Sequence, residues 1–160
     1  MCSGSIVQGH TNLTEIKLAA ELFWRVDVPP EKVVMGFGFY GRSFHLADTS
    51  CTTPGCPFSG SANEGPCSAA SGILEYYEIQ ALLKQNPGLK PVHDQAAAVD
   101  YLVFDNNQWV SYDTADTFKQ KVDWANGIGL GGALIWASDT GTPSAKRMPQ
   151  KSITDAHFAR

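Results

Sequence analysis

No apolar run in this 160-residue chain approaches the roughly 20 residues that a membrane-spanning helix needs, so no membrane partner is expected. Positive charge is in short supply as well. Twelve Lys and Arg stand against 16 Asp and Glu, a formal charge of −4, and no basic patch stands out, so nucleic acid is not expected as a partner either. The start, Met1-Cys2-Ser3-Gly4-Ser5, lacks the charged residues and apolar core of a signal peptide. Metal-ligand spacing is missing: Cys51-x4-Cys56 has no second well-spaced pair, and His45 and His93 lie far apart in sequence. His10, His45, His93 and His157 form no recognisable triad or metal set, and Ser43 does not lie in a G-x-S-x-G elbow. No metal, no cofactor, no internal repeat and no low-complexity tract is therefore expected.

What is present suits a packed core, with 43% of residues hydrophobic. Residues 13–27 read as a helix, because Ile16, Ala19, Ala20, Phe23 and Val26 recur at three- and four-residue spacings. Pro29-Pro30 stops it. Asn12 begins it in one of two roles: a cap completed by Glu15, or the acceptor of an Asn-Leu-Thr glycosylation sequon. A strand follows at 33–39, and helix, short loop, apolar strand is an α/β rhythm. Residues 45–72 hold Gly, Pro, Ser and three of the four cysteines (Cys2 is the fourth), with no sustained period, and read as a loop-rich insertion. Two disulfides in any of three connectivities are open. Ile73 to Lys84 reads as a helix ended by Gln85-Asn86-Pro87-Gly88, with Leu74, Tyr77, Ile79 and Leu82 as buried candidates. Ala96 to Phe104 and Gln108 to Tyr112 read as strands around an Asp105-Asn106-Asn107 turn. Phe118, Val122 and Ala125 then mark a helix capped by Asp113 or Thr114 and ended by Gly127 and Gly129. Gly131 to Ala137 is a short apolar strand, and the tail from Ser138 to Arg160 has little pattern.

The stretch Val33 to Phe44 carries the most chemistry. Val33 to Phe39 is apolar residues and Gly throughout, which suits a parallel strand covered on both faces. Tyr40 and Arg42 have equal parity and so share a face of extended chain. An aromatic plate beside a five-donor guanidinium suits a polyhydroxylated ligand: sugar C–H faces stack on the ring, and the fork donates to hydroxyls and acetamido oxygens. The same residues also fit an ordinary loop with Arg42 in a structural ion pair.

The wording Phe39-Tyr40-Gly41-Arg42-Ser43-Phe44 resembles the seventh barrel strand of chitinases of glycoside hydrolase family 18. Further blocks follow in that family's order. His10-Thr11-Asn12-Leu13-Thr14-Glu15-Ile16 resembles the lead into the sixth barrel helix of fungal members, and Cys51 to Cys67 their cysteine-bearing insertion domain. Asn107 to Asp113 resembles the end of that insertion, and Gly129 to Ala137 the eighth barrel strand.

The resemblance implies an α/β fold: a partial TIM (β/α)8 barrel with an inserted α+β lobe. Residues 1–44 would be barrel, 45–112 the chitinase insertion domain, and 113–160 barrel again. A complete barrel needs roughly 250 residues, so the missing N-terminal half of the barrel is an expected partner. An open parallel sheet would otherwise expose apolar faces and strand edges. The resemblance further implies hydrolysis of β-1,4-N-acetylglucosamine links with the substrate's own acetamido oxygen as nucleophile, chitin or chitooligosaccharide as ligand, and an extracellular parent. By the same transfer, Trp136 is the hydrophobic floor beneath the sugar, Tyr40 and Arg42 are cleft residues, and Asp139 is a lesser candidate; by composition alone Trp136 equally reads as a core plug. Trp109 and Tyr112 are either a groove wall or lobe core, and Trp24 and Trp124 are packing residues. The family's catalytic D-x-x-D-x-D-x-E strand has no match, because Asp113-x-x-Asp116 is followed by Phe118 and Gln120. The M-x-Y-D motif of its sixth strand is absent too. No catalytic residue is therefore expected here. The chain reads either as the C-terminal part of a chitinase, inactive alone, or as a non-catalytic chitin-binding remnant.

Overall fold

The computed structural model describes residues 5–136. The expectations for Cys2, Asp139, His157 and the tail from Ser138 onward lie outside them.

The elements form two sheets of opposite character. In the smaller sheet β1 (Val34–Gly38) pairs in parallel with β8 (Gly132–Trp136), in register from Val34 opposite Gly132 to Gly38 opposite Trp136. Helices α1 (Leu13–Trp24) and α3 (Ala115–Ile128) cover one face of it. The core there is Leu13, Met35, Phe37, Phe39, Phe118, Val122, Ala125 and Leu130, with Phe37 edge-on to Phe118 at 5.3 Å between ring centroids. The stripe read on α3 is thus the buried one, and Trp24 and Trp124 pack at its margin.

No described residue covers the other face of the parallel pair, as expected of an open piece of a sheet whose apolar pattern suits cover on both sides. Val34 is 55% exposed and Leu134 53%. The stripe read on α1 is only partly covered: Ile16 and Ala20 reach the core, whereas Ala19, Phe23 and Val26 are exposed. The helix also ends at Trp24, short of the prolines, where Asp27 turns the chain with a φ of 59°. At its start Asn12 takes the capping role, accepting from the Thr14 N–H at 2.8 Å.

The larger sheet is antiparallel, in the order β3 (Phe58–Ser61), β2 (Tyr40–Leu46), β7 (Gln108–Tyr112), β6 (Val99–Phe104), β5 (Val92–Asp94). The strand β4 (Ile73–Glu75) pairs with the first part of β2. Helix α2 (Tyr76–Gln85) covers one face over Leu74, Ile79, Leu102, Phe104, Val110 and Tyr112. The opposite face buries Val7, Leu46, Cys56, Tyr101 and Trp109 beneath the loop that leads to β3. Trp109 and Tyr112 are therefore core, not groove wall. The β6–β7 turn falls at the expected residues, with Asp105 and Asn106 at positive φ.

Two expectations are corrected here and one choice is resolved. Ile73 to Glu75 is strand, not helix, because the edge of β2 pairs with it before Glu75 caps α2. The segment 45–72 is not all loop: it contains β3, and a Cys51–Cys56 disulfide closes part of it, while Cys67 is free and exposed. Of the two caps offered for α3, Thr114 takes the role, in a reciprocal box with Thr117, while Asp113 is fully buried against Lys121.

Candidate functional site

The chain crosses from one sheet to the other through a single residue, Phe39, between Gly38 at the end of β1 and Tyr40 at the start of β2. Its N–H donates to the Trp136 carbonyl at 3.0 Å, and its carbonyl accepts from the Tyr76 N–H at 3.1 Å. The ends of β1, β8 and β4 and the start of α2 are thereby tied to one point. A side chain at Gly41 would come within 2.7 Å of Val110, so glycine there lets β2 lie close on β7.

A groove of about 270 Å³ opens at this junction, lined by Tyr40, Arg42, Trp136, Ser68 and Glu75 among others. Tyr40 and Arg42 reach it from one face of β2, as equal parity requires, and the guanidinium carbon lies 5.6 Å from the Tyr40 ring centroid. Trp136 arrives from the other sheet, 66% exposed, its indole free to act as a plate. The structure thus brings together all three residues singled out by sequence. It adds Glu75, missed because 73–84 reads as helix, and Ser68, missed because it lies in a stretch that reads as featureless loop. Glu75 sits opposite Tyr40 in the β2–β4 register and also accepts the Glu78 N–H at the start of α2. An indole, a phenol, a guanidinium and a carboxylate around a shallow groove can stack on sugar faces while donating to and accepting from hydroxyl and acetamido groups.

A larger concavity of about 450 Å³ lies in the antiparallel region between α2 and the β6–β7 turn. Two of its polar groups, Glu78 and Gln108, are committed to the fold. Glu78 accepts from the N–H groups of Cys67 at 2.7 Å, Ser68 at 3.0 Å and Glu75 at 2.7 Å. Burial alone would raise its carboxyl, but these donors outweigh burial and hold it below the usual range. Gln108 likewise accepts from Asn63 N–H and donates to Asp105.

Behind the groove lies a buried ionic cluster. Lys121 Nζ donates to Asp113 Oδ1, and to the Thr11 hydroxyl at 2.8 Å; Thr117 donates to Asp113 Oδ1 at 2.7 Å. Burial pushes the Asp113 carboxyl up and the Lys121 ammonium down, and their mutual attraction opposes both shifts. Elsewhere His93 Nδ1 lies 2.7 Å from Asp100, which raises the imidazole, on the β5–β6 hairpin. Among the described residues no group of His, Cys, Asp and Glu is arranged to hold a metal ion.

The sequence profile of Glycosyl hydrolases family 18 matches residues 5–141. A secreted chitinase LysM12 of Penicillium expansum is 32% identical over 143 residues, covering 85% of this chain and 10% of the fungal protein. Solved structures similar to this chain include the following pair. The Group IV chitinase of Ostrinia furnacalis in complex with allosamidin superposes with a TM-score of 0.79 at 33% identity, over 86% of this chain and 38% of that one. Human YKL-39, described as a pseudo-chitinase with retained chitooligosaccharide binding properties, superposes with a TM-score of 0.78 at 37% identity, over 88% of this chain and 39% of that one. This chain therefore spans well under half the length of each.

Proposed function

The chain belongs to family 18 of the glycosyl hydrolases, and from that premise we propose that its groove at the sheet junction binds chitooligosaccharide as part of a chitinase. Trp136 is the floor on which one N-acetylglucosamine ring stacks, Tyr40 is the wall, and Arg42 donates to hydroxyl or acetamido oxygens. The observation that carries this reading is the convergence of Tyr40, Arg42 and Trp136, from two different sheets, on one groove. The parallel β1–β8 pair with α1 and α3 is the closing section of a barrel. The antiparallel sheet with α2 is the lobe inserted into it. The open face of β1 and β8 is the surface against which the N-terminal half of that barrel belongs.

Hydrolysis of β-1,4 links needs a general acid, and the sequence holds no D-x-x-D-x-D-x-E strand. The loss of such an acid typically costs about 10²–10⁴-fold in rate, so this chain alone is expected to bind sugar without cleaving it. A non-catalytic binder is the second reading. It is favoured by the likeness to a pseudo-chitinase that is described as retaining chitooligosaccharide binding.

The purified chain, offered a fluorogenic chitotrioside, should release no fluorophore. Titrated with chitotetraose, it should give a saturable change in tryptophan fluorescence that Trp136→Ala abolishes. Hydrolysis that disappears in Trp136→Ala would overturn the claim of inactivity. A folded sample with no saturable change would overturn the binding reading itself.

A further inference from the structure

His10 stands outside the groove lining and outside every helix and strand, yet it is held from three sides. Its N–H donates to the Ser111 hydroxyl of β7 at 2.8 Å. The Thr11 hydroxyl, 2.6 Å from the His10 carbonyl, is itself fixed by Lys121 of α3 at 2.8 Å. The imidazole lies against the Tyr40 ring, with centroids 4.7 Å apart and planes tilted by 43°.

Gly38 shapes this contact. A methyl group built there would come within 3.1 Å of His10 Nε2 and 3.1 Å of Tyr40 Cε1, so both rings use the space that glycine leaves. Gly38 is also the residue opposite Trp136 in the parallel pair. Burial, then the charges of Lys121 and Arg42, lower the imidazole to about 4, which keeps it neutral beside the guanidinium at physiological pH. Its Nε2 is buried with no hydrogen-bond partner among the described residues. What the neighbours use is the ring's flat body, not its hydrogen-bonding capacity.

We propose that His10 is a positioning residue for the groove: its ring and the gap at Gly38 fix the Tyr40 ring in the orientation that Arg42 and Trp136 complete. This rests on the sugar-binding reading for its functional consequence, but its geometric half is testable without sugar.

The experiment compares the unsubstituted chain with His10→Ala, His10→Phe and Gly38→Ala. The Tyr40 ring protons are followed by NMR, and chitotetraose affinity by tryptophan fluorescence. In the unsubstituted chain the Tyr40 protons should be displaced from free-tyrosine positions by the imidazole ring current. His10→Ala should move them back and weaken chitotetraose binding about two- to tenfold, the scale of a lost aromatic pair. His10→Phe should restore the displacement and most of the affinity, which a hydrogen-bonding or purely ionic role would not allow. Gly38→Ala should shift Tyr40 with His10 still present, because the added methyl presses on both rings.

The proposal is overturned if the Tyr40 protons sit at free-tyrosine positions in the unsubstituted chain, or do not move in His10→Ala. It is equally overturned if His10→Ala and His10→Phe both fail to fold, since His10 would then be a core residue. If Tyr40 responds as expected while the unsubstituted chain binds no chitotetraose, the hold on Tyr40 stands and the sugar-binding reading falls.

Discussion

The two sheets are finished to different degrees. Every residue of β7 in the antiparallel region is buried, with α2 over one face and the disulfide-closed loop over the other. Among the described residues the parallel β1–β8 pair is covered by helices on one face only, leaving Val34, Leu134 and Trp136 open, and α1 with the turn after it adds Leu18, Leu22, Phe23 and Val26 to the exposed apolar surface. A region with two covered faces supplies its own hydrophobic driving force, whereas one with a bare apolar face depends on whatever covers it. The groove lies on the border. Tyr40 and Arg42 come from the finished region, and Trp136 comes from the unfinished one, tied to them through Gly38 and Phe39.

Substitutions break or sharpen this contrast in a definite order. Trp109→Ala strikes the finished region hardest, because it empties a fully buried site and removes the indole N–H bond to the Thr52 carbonyl at 3.0 Å. A loss of about 4 kcal/mol is expected in urea denaturation. Asp113→Ala strikes the seam between the regions by leaving Lys121 buried without its counter-ion. About 3 kcal/mol is expected from the same measurement, with Lys121→Met on that background recovering part of it.

Glu78→Gln tests the helix-capping loop at about 2 kcal/mol, since an amide cannot accept all three N–H donors as a carboxylate does. Its pH dependence has a fixed sign. The folded carboxyl titrates below its ordinary value of 4.5, so its stabilisation is complete above that value and is lost as pH falls through the folded value. Glu78→Gln should remove that acid limb from a plot of melting temperature against pH. The smallest effect belongs to the open face: Leu134→Ser should change stability by no more than about 0.5 kcal/mol. It should also reduce self-association in ultracentrifugation, whereas a core role for Leu134 would give a large loss.

Much of this architecture was legible because local chemistry and tertiary packing agree. The α3 stripe of Phe118, Val122 and Ala125, the Asn12 cap and the Asp105–Asn107 turn are each decided within a few residues of chain. The short edge strands were not legible. Ile73 to Glu75 runs without a break into the apolar pattern of α2, and only the vacant edge of β2 makes it a strand; β5 and β3 likewise exist through their partners. The choice between Asp113 and Thr114 as the α3 cap was open in sequence, because the partner that claims Asp113, Lys121, becomes visible only once α3 is docked. In the groove, the shared face of Tyr40 and Arg42 follows from parity alone. The arrival of Trp136 depends on the pairing of Gly38 with Trp136 across the parallel sheet, which no local pattern encodes and only the family resemblance anticipated. His10 gave no local signal, since its neighbours Tyr40, Ser111 and Lys121 are all distant in sequence.

The most direct test of a sugar groove on this border is an NMR titration of the chain with chitotetraose, reading the indole N–H of Trp136 and the side-chain N–H of Arg42 alongside the backbone. The account predicts saturable shifts at Trp136, Arg42 and Tyr40, fading within β2 and β8 and absent around Tyr77 and Gln85 in the larger concavity. Shifts confined to that concavity, or none from a folded chain, would contradict it.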